Sequence, residues 1–223
     1  MEARYLRNIP ALTEEECSLL RQKRVLIVGC GGLGGYLVSF FSRIGVGELR
    51  IVDGDVFEAT NLNRQLFCEI PVLGRNKARV TADSIARTNP EITVDAVETF
   101  LTKENALELL GGCDLAVDAL DNIPSRRILS DACEKSGIAL VYGAISGWVA
   151  QAALSMPGDR LVEKLYPAET VVRDKSVLSF TPALCASMQA ALSIKYLTGR
   201  PVESGRICHF DLLHQEFETI PLV

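Results

Sequence analysis

Arg64, Lys77 and Asp121 are the side chains of this sequence best suited to chemistry on a polyphosphate. Arg64 lies in Asp53-Gly54-Asp55-Val56-Phe57-Glu58-Ala59-Thr60-Asn61-Leu62-Asn63-Arg64-Gln65. Its planar fork of donors suits phosphate oxygens, and Asn61 and Gln65 can hold neighbouring groups. Lys77 follows Leu73-Gly74-Arg75-Asn76 and opens an expected helix, at the end that favours anions. Arg64 and Lys77 together could neutralise charge developing on departing pyrophosphate. Asp121 ends the run Asp114-Leu115-Ala116-Val117-Asp118-Ala119-Leu120-Asp121-Asn122, an apolar strand closing in carboxylates. A carboxylate beside a triphosphate usually holds magnesium, which prefers oxygen ligands and keeps several waters. Each residue has a plainer alternative. Arg64 could form a surface ion pair, Lys77 could be a solvated helix residue, Asp121 could cap the helix that follows, and Asp118 could be a structural hydrogen-bonding partner.

The elements that must position these groups begin with Arg24-Val25-Leu26-Ile27-Val28-Gly29-Cys30-Gly31-Gly32-Leu33-Gly34. An apolar, β-branched strand runs into a glycine-rich turn and then a helix, with Gly29, Gly31 and Gly34 fitting G-x-G-x-x-G. Such glycines allow a tight turn and close approach of backbone to phosphate, while amides at the helix start face the anion. A second apolar run ends in Asp53, placed to accept hydrogen bonds from ribose hydroxyls. This much says nucleotide without separating NAD from ATP. The segment after Asp53 favours ATP, because a dehydrogenase has little use for Asn-x-Asn-Arg-Gln there. The candidate nucleotide contacts are thus Gly29, Gly31, Gly32 and Gly34 of the turn, then Asp53 and Asp55. Thr60, Asn61, Asn63, Arg64 and Gln65 follow in the next loop, with Lys77, Asp121 and Asn122 beyond.

Strands are expected at 24–29, 48–53, 93–98, 115–118 and 139–143, and helices at 33–44, 76–88, 104–110 and 123–136. The alternation predicts an α/β fold, a Rossmann-like, doubly wound and mainly parallel sheet with helices on both faces. Such sheets bind ligands at the carboxyl ends of their strands, where Asp53, Asp118 and Asp121 could share one crevice. Thr13-Glu14-Glu15-Glu16 is a capping-box pattern opening a short helix to about Gln22. Residues 150–156 suggest a further strand, and 157–180 lack periodicity and suggest a crossover loop. Thr181-Pro182 is expected to cap a helix stopped by Gly199 and Pro201, and 206–211 with 216–222 suggest a terminal hairpin. The expected organisation is one unit over 1–223: an arm and helix (1–22), a nucleotide-binding core (23–156), the crossover (157–180) and a C-terminal helix with hairpin (181–223).

The 223 residues are 48% hydrophobic, enough for a sizeable core, and carry a net charge of −5 with no basic block. A large nucleic-acid footprint is therefore not expected. No apolar run is long enough for a membrane span, and no apolar segment follows the charges of Met1-Glu2-Ala3-Arg4-Tyr5 as in a signal peptide. Seven scattered cysteines, with no C-x-x-C, suggest reduced thiols in a cytoplasmic protein without a zinc site.

In order, Gly-x-Gly-Gly-Leu-Gly, Asp53, Asn61-Leu62-Asn63-Arg64-Gln65, Lys77 and Asp118-x-x-Asp121-Asn122 resemble the ThiF/MoeB/HesA family, bacterial relatives of ubiquitin-activating enzymes. Gly143-Ala144-Ile145-Ser146-Gly147-Trp148 and the helix with Gln189, Ile194, Lys195 and Gly199 extend the match along nearly the whole chain. The resemblance implies ATP- and Mg2+-dependent adenylation of the C-terminal glycine carboxylate of a small ubiquitin-like sulfur carrier ending in Gly-Gly, of ThiS or MoaD type. Pyrophosphate would be released, in thiamine, molybdopterin or related sulfur metabolism. It assigns nucleotide contacts to Gly32 and Asp53, phosphate contacts to Asn61, Arg64 and Lys77, and the magnesium-linked carboxylate to Asp121. Arg4-Tyr5-Leu6-Arg7 resembles the family's opening, which makes Arg7 the candidate to reach the ATP of the other subunit of a homodimer. Two departures stand out: the paired C-x-x-C zinc ligands are missing, and Ala168–Ser179 holds no cysteine for a covalent relay. Cys185 is expected to be a small buried residue. The rival readings are an NAD-dependent oxidoreductase, a non-catalytic partner subunit and a relative that modifies tRNA, the last weakened by the acidic balance and the absence of a basic patch.

Overall fold

Runs of Val, Ile and Leu that alternate between two buried faces build the centre of the sheet. A computed structural model describes residues 2–167 and 176–222. The strands are β1 (Arg24–Val28), β2 (Glu48–Val52), β3 (Thr93–Val97), β4 (Leu115–Asp118), β5 (Leu140–Ser146), β6 (Val149–Ser155), β7 (Arg206–Asp211) and β8 (Glu216–Pro221). They form one sheet in the order β3-β2-β1-β4-β5-β6-β7-β8. The first five strands pair in parallel, and β6, β7 and β8 are added antiparallel.

Val25, Ile27, Leu49, Ile51, Leu115, Val117 and Val141 face one side of the sheet. That side is covered by α1 (Glu14–Leu20), α2 (Gly32–Ile44), α3 (Lys77–Thr88) and α7 (Phe180–Leu197). Leu26, Val28, Val52, Ala116, Leu140 and Tyr142 face the other, under α4 (Ala106–Leu110), α5 (Ile123–Ser136) and α6 (Leu161–Leu165). Both faces are therefore dry, as parallel strands require.

Three elements differ from the sequence reading. Within 157–180 the short helix α6 buries Leu161 and Val162; five residues are too few for a helical period to show. The rest of that expectation falls partly on 168–175, outside the described residues. Helix α7 starts at Phe180, so Thr181 is not its cap. Thr181 is fully buried and its hydroxyl donates to the Gly147 carbonyl at 2.8 Å. Residues 3–8 form a 3-10 helix held by Tyr5, whose buried ring packs against Gly45 and whose hydroxyl accepts from Asn89 Nδ2 at 2.7 Å. The Thr13 capping box forms as expected, as does the β7–β8 hairpin.

The glycine turn depends on one close approach. A Cβ at Gly34 would lie 1.8 Å from the Gly29 carbonyl oxygen, a backbone atom that cannot move aside. Gly34→Ala is therefore expected to destabilise the fold by about 3 kcal/mol or more, seen as a lower urea midpoint with unchanged slope.

Candidate active site

Strand β1 lies between β2 and β4, so the chain winds away from it in both directions and opens a crevice at the carboxyl ends of these strands. Val28 pairs with Val52 on one side and Asp118 on the other. Gly29 follows at φ 100°, donating to Val52 O at 2.8 Å, and a Cβ there would lie 2.5 Å from Ala119 O. Glycine is required by both the angle and the contact.

Asp53 turns its carboxylate back into the glycine turn. Oδ2 accepts from Cys30 N at 2.7 Å and Oδ1 from Asp55 N at 2.8 Å. Burial raises its pKa, although these two amides oppose the shift. The side chain thus orders the turn while keeping lone pairs for a hydroxyl donor.

The loop bearing Arg64 lies over the start of α2. Cβ atoms at Gly31 and Gly32 would come within 3.4 Å of Gln65 Nε2 and 3.8 Å of Arg64 Cγ respectively. Side chains of Thr13, Asn76 and Asn122 cap α1, α3 and α5, whereas α2, which follows Gly31, has no side-chain cap, and neither have α4, α6 and α7. The first-turn amides of α2 are left for an external acceptor. Arg64 is half-buried and has no carboxylate partner among the described residues. Its guanidinium is steered by Thr60 O (3.0 Å) and Asn63 Oδ1 (2.9 Å), and the surface ion pair is not formed with any of the described residues. Asn63 in turn donates to Val177 O at 3.2 Å. Gln65 is buried with its Oε1 unpartnered among the described residues, an acceptor that could take a ligand donor. Asn61 is buried, and its Oδ1 accepts from Glu58 N at 3.1 Å. Thr60 contributes its carbonyl rather than its hydroxyl to Arg64.

Lys77 is not a solvated helix residue: it is 8% exposed, and its ammonium reaches Asp55 Oδ2 at 3.2 Å. Asn76, which sequence reasoning passed over, sets this geometry. It caps α3 by accepting from Arg79 N, and its Nδ2 donates to Asp53 O (3.0 Å) and Asp55 O (3.2 Å). An Asn directly before a helix was the available signal.

Asp121 is not the cap of α5. Asn122 is, accepting from Ser125 N at 2.9 Å, while its Nδ2 donates to Asp121 Oδ1 at 3.2 Å. The Asp121 carboxylate is exposed and forms no ion pair with a cation among the described residues. A lone carboxylate of this kind fits magnesium, whose other ligands are phosphate oxygens and water. Asp118 does not share the crevice: it is fully buried, bound to Leu120 N and in an ion pair with Arg126 at 2.7 Å. Strand alternation turns it inward.

Arg7 lies exposed on the N-terminal 3-10 helix. Cys185 is fully buried, donating to Gln151 O at 3.2 Å, and burial pushes its thiol up to about 12. Such a thiol is a poor nucleophile.

The ThiF family model matches residues 4–222. Over 98% of its length the chain is 36% identical to a SAMP-activating enzyme E1 of Haloferax volcanii, covering 84% of that protein. It is 33% identical to a sulfur carrier protein adenylyltransferase of Thermus thermophilus, covering 97% of this chain and 86% of that one. The adenylyltransferase and sulfurtransferase MOCS3 of Arabidopsis thaliana is 34% identical, but the chain spans only 49% of its length. Among solved structures, E. coli MccB with ATP superposes with a TM-score of 0.84 at 20% identity, over 100% of this chain and 72% of that chain. No helix among the described residues is long and apolar enough to cross a membrane.

Proposed function

The chain belongs to the ThiF family, and on that premise we propose that it is an ATP-dependent adenylyltransferase acting on a small ubiquitin-like sulfur carrier. The carrier would end in Gly-Gly, and its terminal carboxylate would be the nucleophile. The observation that carries this reading is Arg64: a guanidinium with no carboxylate partner among the described residues, on a side chain whose stem lies against a helix start that no side chain caps. A hydride-transferring enzyme leaves that arrangement, Lys77 and Asp121 without a role, and a non-catalytic subunit has no need of it.

In the proposed reaction the carboxylate oxygen attacks the α-phosphorus of ATP. The new O–P bond forms as the bond to the β-phosphate oxygen breaks, and pyrophosphate leaves with the electron pair. No general base is needed, since the carboxylate is already ionised at neutral pH. Amides at the start of α2 and Gly31 and Gly32 hold phosphate, Asp53 holds ribose, and Arg64 with Lys77 offsets charge on the departing group. Lys77 then exchanges Asp55 for phosphate. Asp121 would hold magnesium, which supplies further charge neutralisation on the phosphates. Arg7 would reach the site of the other subunit in a homodimer. The reading includes no structural zinc, because paired thiolate ligands are missing, and it places the protein in the cytoplasm. The activated carrier would serve thiamine, molybdopterin or related sulfur metabolism.

The test is exchange of labelled pyrophosphate into ATP. The expected result is exchange with a Gly-Gly carrier and none without it. Binding of NAD in preference to ATP, with no exchange on any carrier, would overturn the proposal.

A further inference from the structure

Asp121 stands between two pinned points. On one side, Leu120 is held through both of its peptide groups: its N–H donates to Asp118 Oδ1 at 2.9 Å, and its carbonyl accepts from Arg126 Nη2 at 2.5 Å. On the other, Asn122 caps the helix that carries Arg126. Arg126 Nη1 also donates to Asp118 Oδ2 (2.7 Å) and to Gly143 O (2.6 Å), so one guanidinium ties β4, β5 and the turn together. Its plane lies over the Tyr142 ring, 5.1 Å from the centroid. From α7, Gln189 Nε2 donates to Asp118 O at 2.8 Å, and its side chain packs where a Cβ on Gly143 would sit.

A buried ion pair is a poor way to hold a helix on a sheet, because desolvation offsets most of the attraction and apolar residues of similar size do as well. An apolar pair could not bond Leu120 N–H, Leu120 C=O and Gly143 C=O at once. Burial, the largest influence, would lower the Arg126 pKa, but Asp118 together with Tyr142, Tyr166 and Cys185 outweighs it, so the guanidinium stays charged.

We infer that the Asp118–Arg126 pair is a clamp that fixes the turn presenting Asp121, which makes Arg126 a positioning residue for the carboxylate offered to magnesium. Its chemical consequence rests on the adenylation reading, while the clamp itself rests on geometry. Arg126→Lys keeps a buried positive charge beside Asp118, but a single ammonium cannot span the three acceptors that the fork reaches.

Two measurements on the full chain test this. Without any ligand, hydrogen exchange in the peptide covering 119–123 should speed up about tenfold or more in Arg126→Lys, with β1 and β2 peptides unchanged. In carrier-dependent pyrophosphate exchange, the Mg2+ concentration for half-maximal rate should rise about tenfold, with little change in KM for the carrier. Adding Arg126→Lys to Asp121→Asn should cause no further loss. Unchanged hydrogen exchange at 119–123, or losses that multiply in the double variant, would overturn the clamp. Should Arg126→Lys not fold, the size-matched pair Asp118→Leu with Arg126→Met carries the same measurements, and a wild-type Mg2+ profile in that pair would equally overturn it. If the wild-type protein shows no carrier-dependent exchange at all, the adenylation reading falls, and hydrogen exchange still decides the clamp.

Discussion

Arg64→Ala is expected to lower carrier-dependent pyrophosphate exchange by about a hundredfold or more while leaving the melting temperature nearly unchanged. The rate effect follows from removing one electrostatic contact that strengthens as charge moves onto pyrophosphate. The small stability effect follows from what the side chain touches. Arg64 gives hydrogen bonds to Thr60 O and Asn63 Oδ1, both within its own loop, and joins no ion pair among the described residues. Two partly exposed bonds of this kind contribute about 1 kcal/mol each at most, and water replaces them on truncation. ATP binding measured by calorimetry should weaken less than the rate, because much of the contact is made only as the phosphate departs. Exchange close to that of the unaltered protein would remove Arg64 from the proposed chemistry. Arg64→Lys should recover only part of the loss, since an ammonium cannot be steered by two acceptors while pointing a planar fork at phosphate.

The parallel half of the sheet was legible in the sequence because Val, Ile and Leu runs that end in Gly or Asp are both a burial signal and a turn signal. Gly29, Asp53 and Ala119 meet at one crevice for that reason. What the sequence hid were cases where a side chain's partner is remote in the chain. Lys77 reads as solvated in isolation, and only the Asn76 bonds to Asp53 and Asp55 show why it is buried beside Asp55. Asp118 and Asp121 look alike three residues apart, yet alternation and the α5 cap send one inward to Arg126 and leave the other exposed. Arg126 itself sits in the buried stripe with Leu129, Ser130 and Cys133, and an arginine at an apolar position of a helix was a signal not used. Helix α6 is too short to produce a period, and Thr181 faces the Gly147 carbonyl instead of the amides of α7.

Asp121→Asn is the substitution that best separates chemistry from architecture. The cap of α5 belongs to Asn122, so the carboxylate at 121 bears no amide of that helix. Its one bond among the described residues is accepted from Asn122 Nδ2 at 3.2 Å, and an asparagine oxygen can accept the same donor. Stability should therefore change by less than about 0.5 kcal/mol, the range of a surface substitution away from caps and buried pairs. The charge that would draw in magnesium is lost, and adenylation should fall by about a hundredfold or more. Raising Mg2+ should recover part of the rate if the carboxylate acts by concentrating the ion at the phosphates. A lowered melting temperature with near-normal turnover would be the reverse pattern and would make Asp121 architectural. Because the exposed carboxylate meets no cation among the described residues, there is no ion pair whose loss could imitate the catalytic effect.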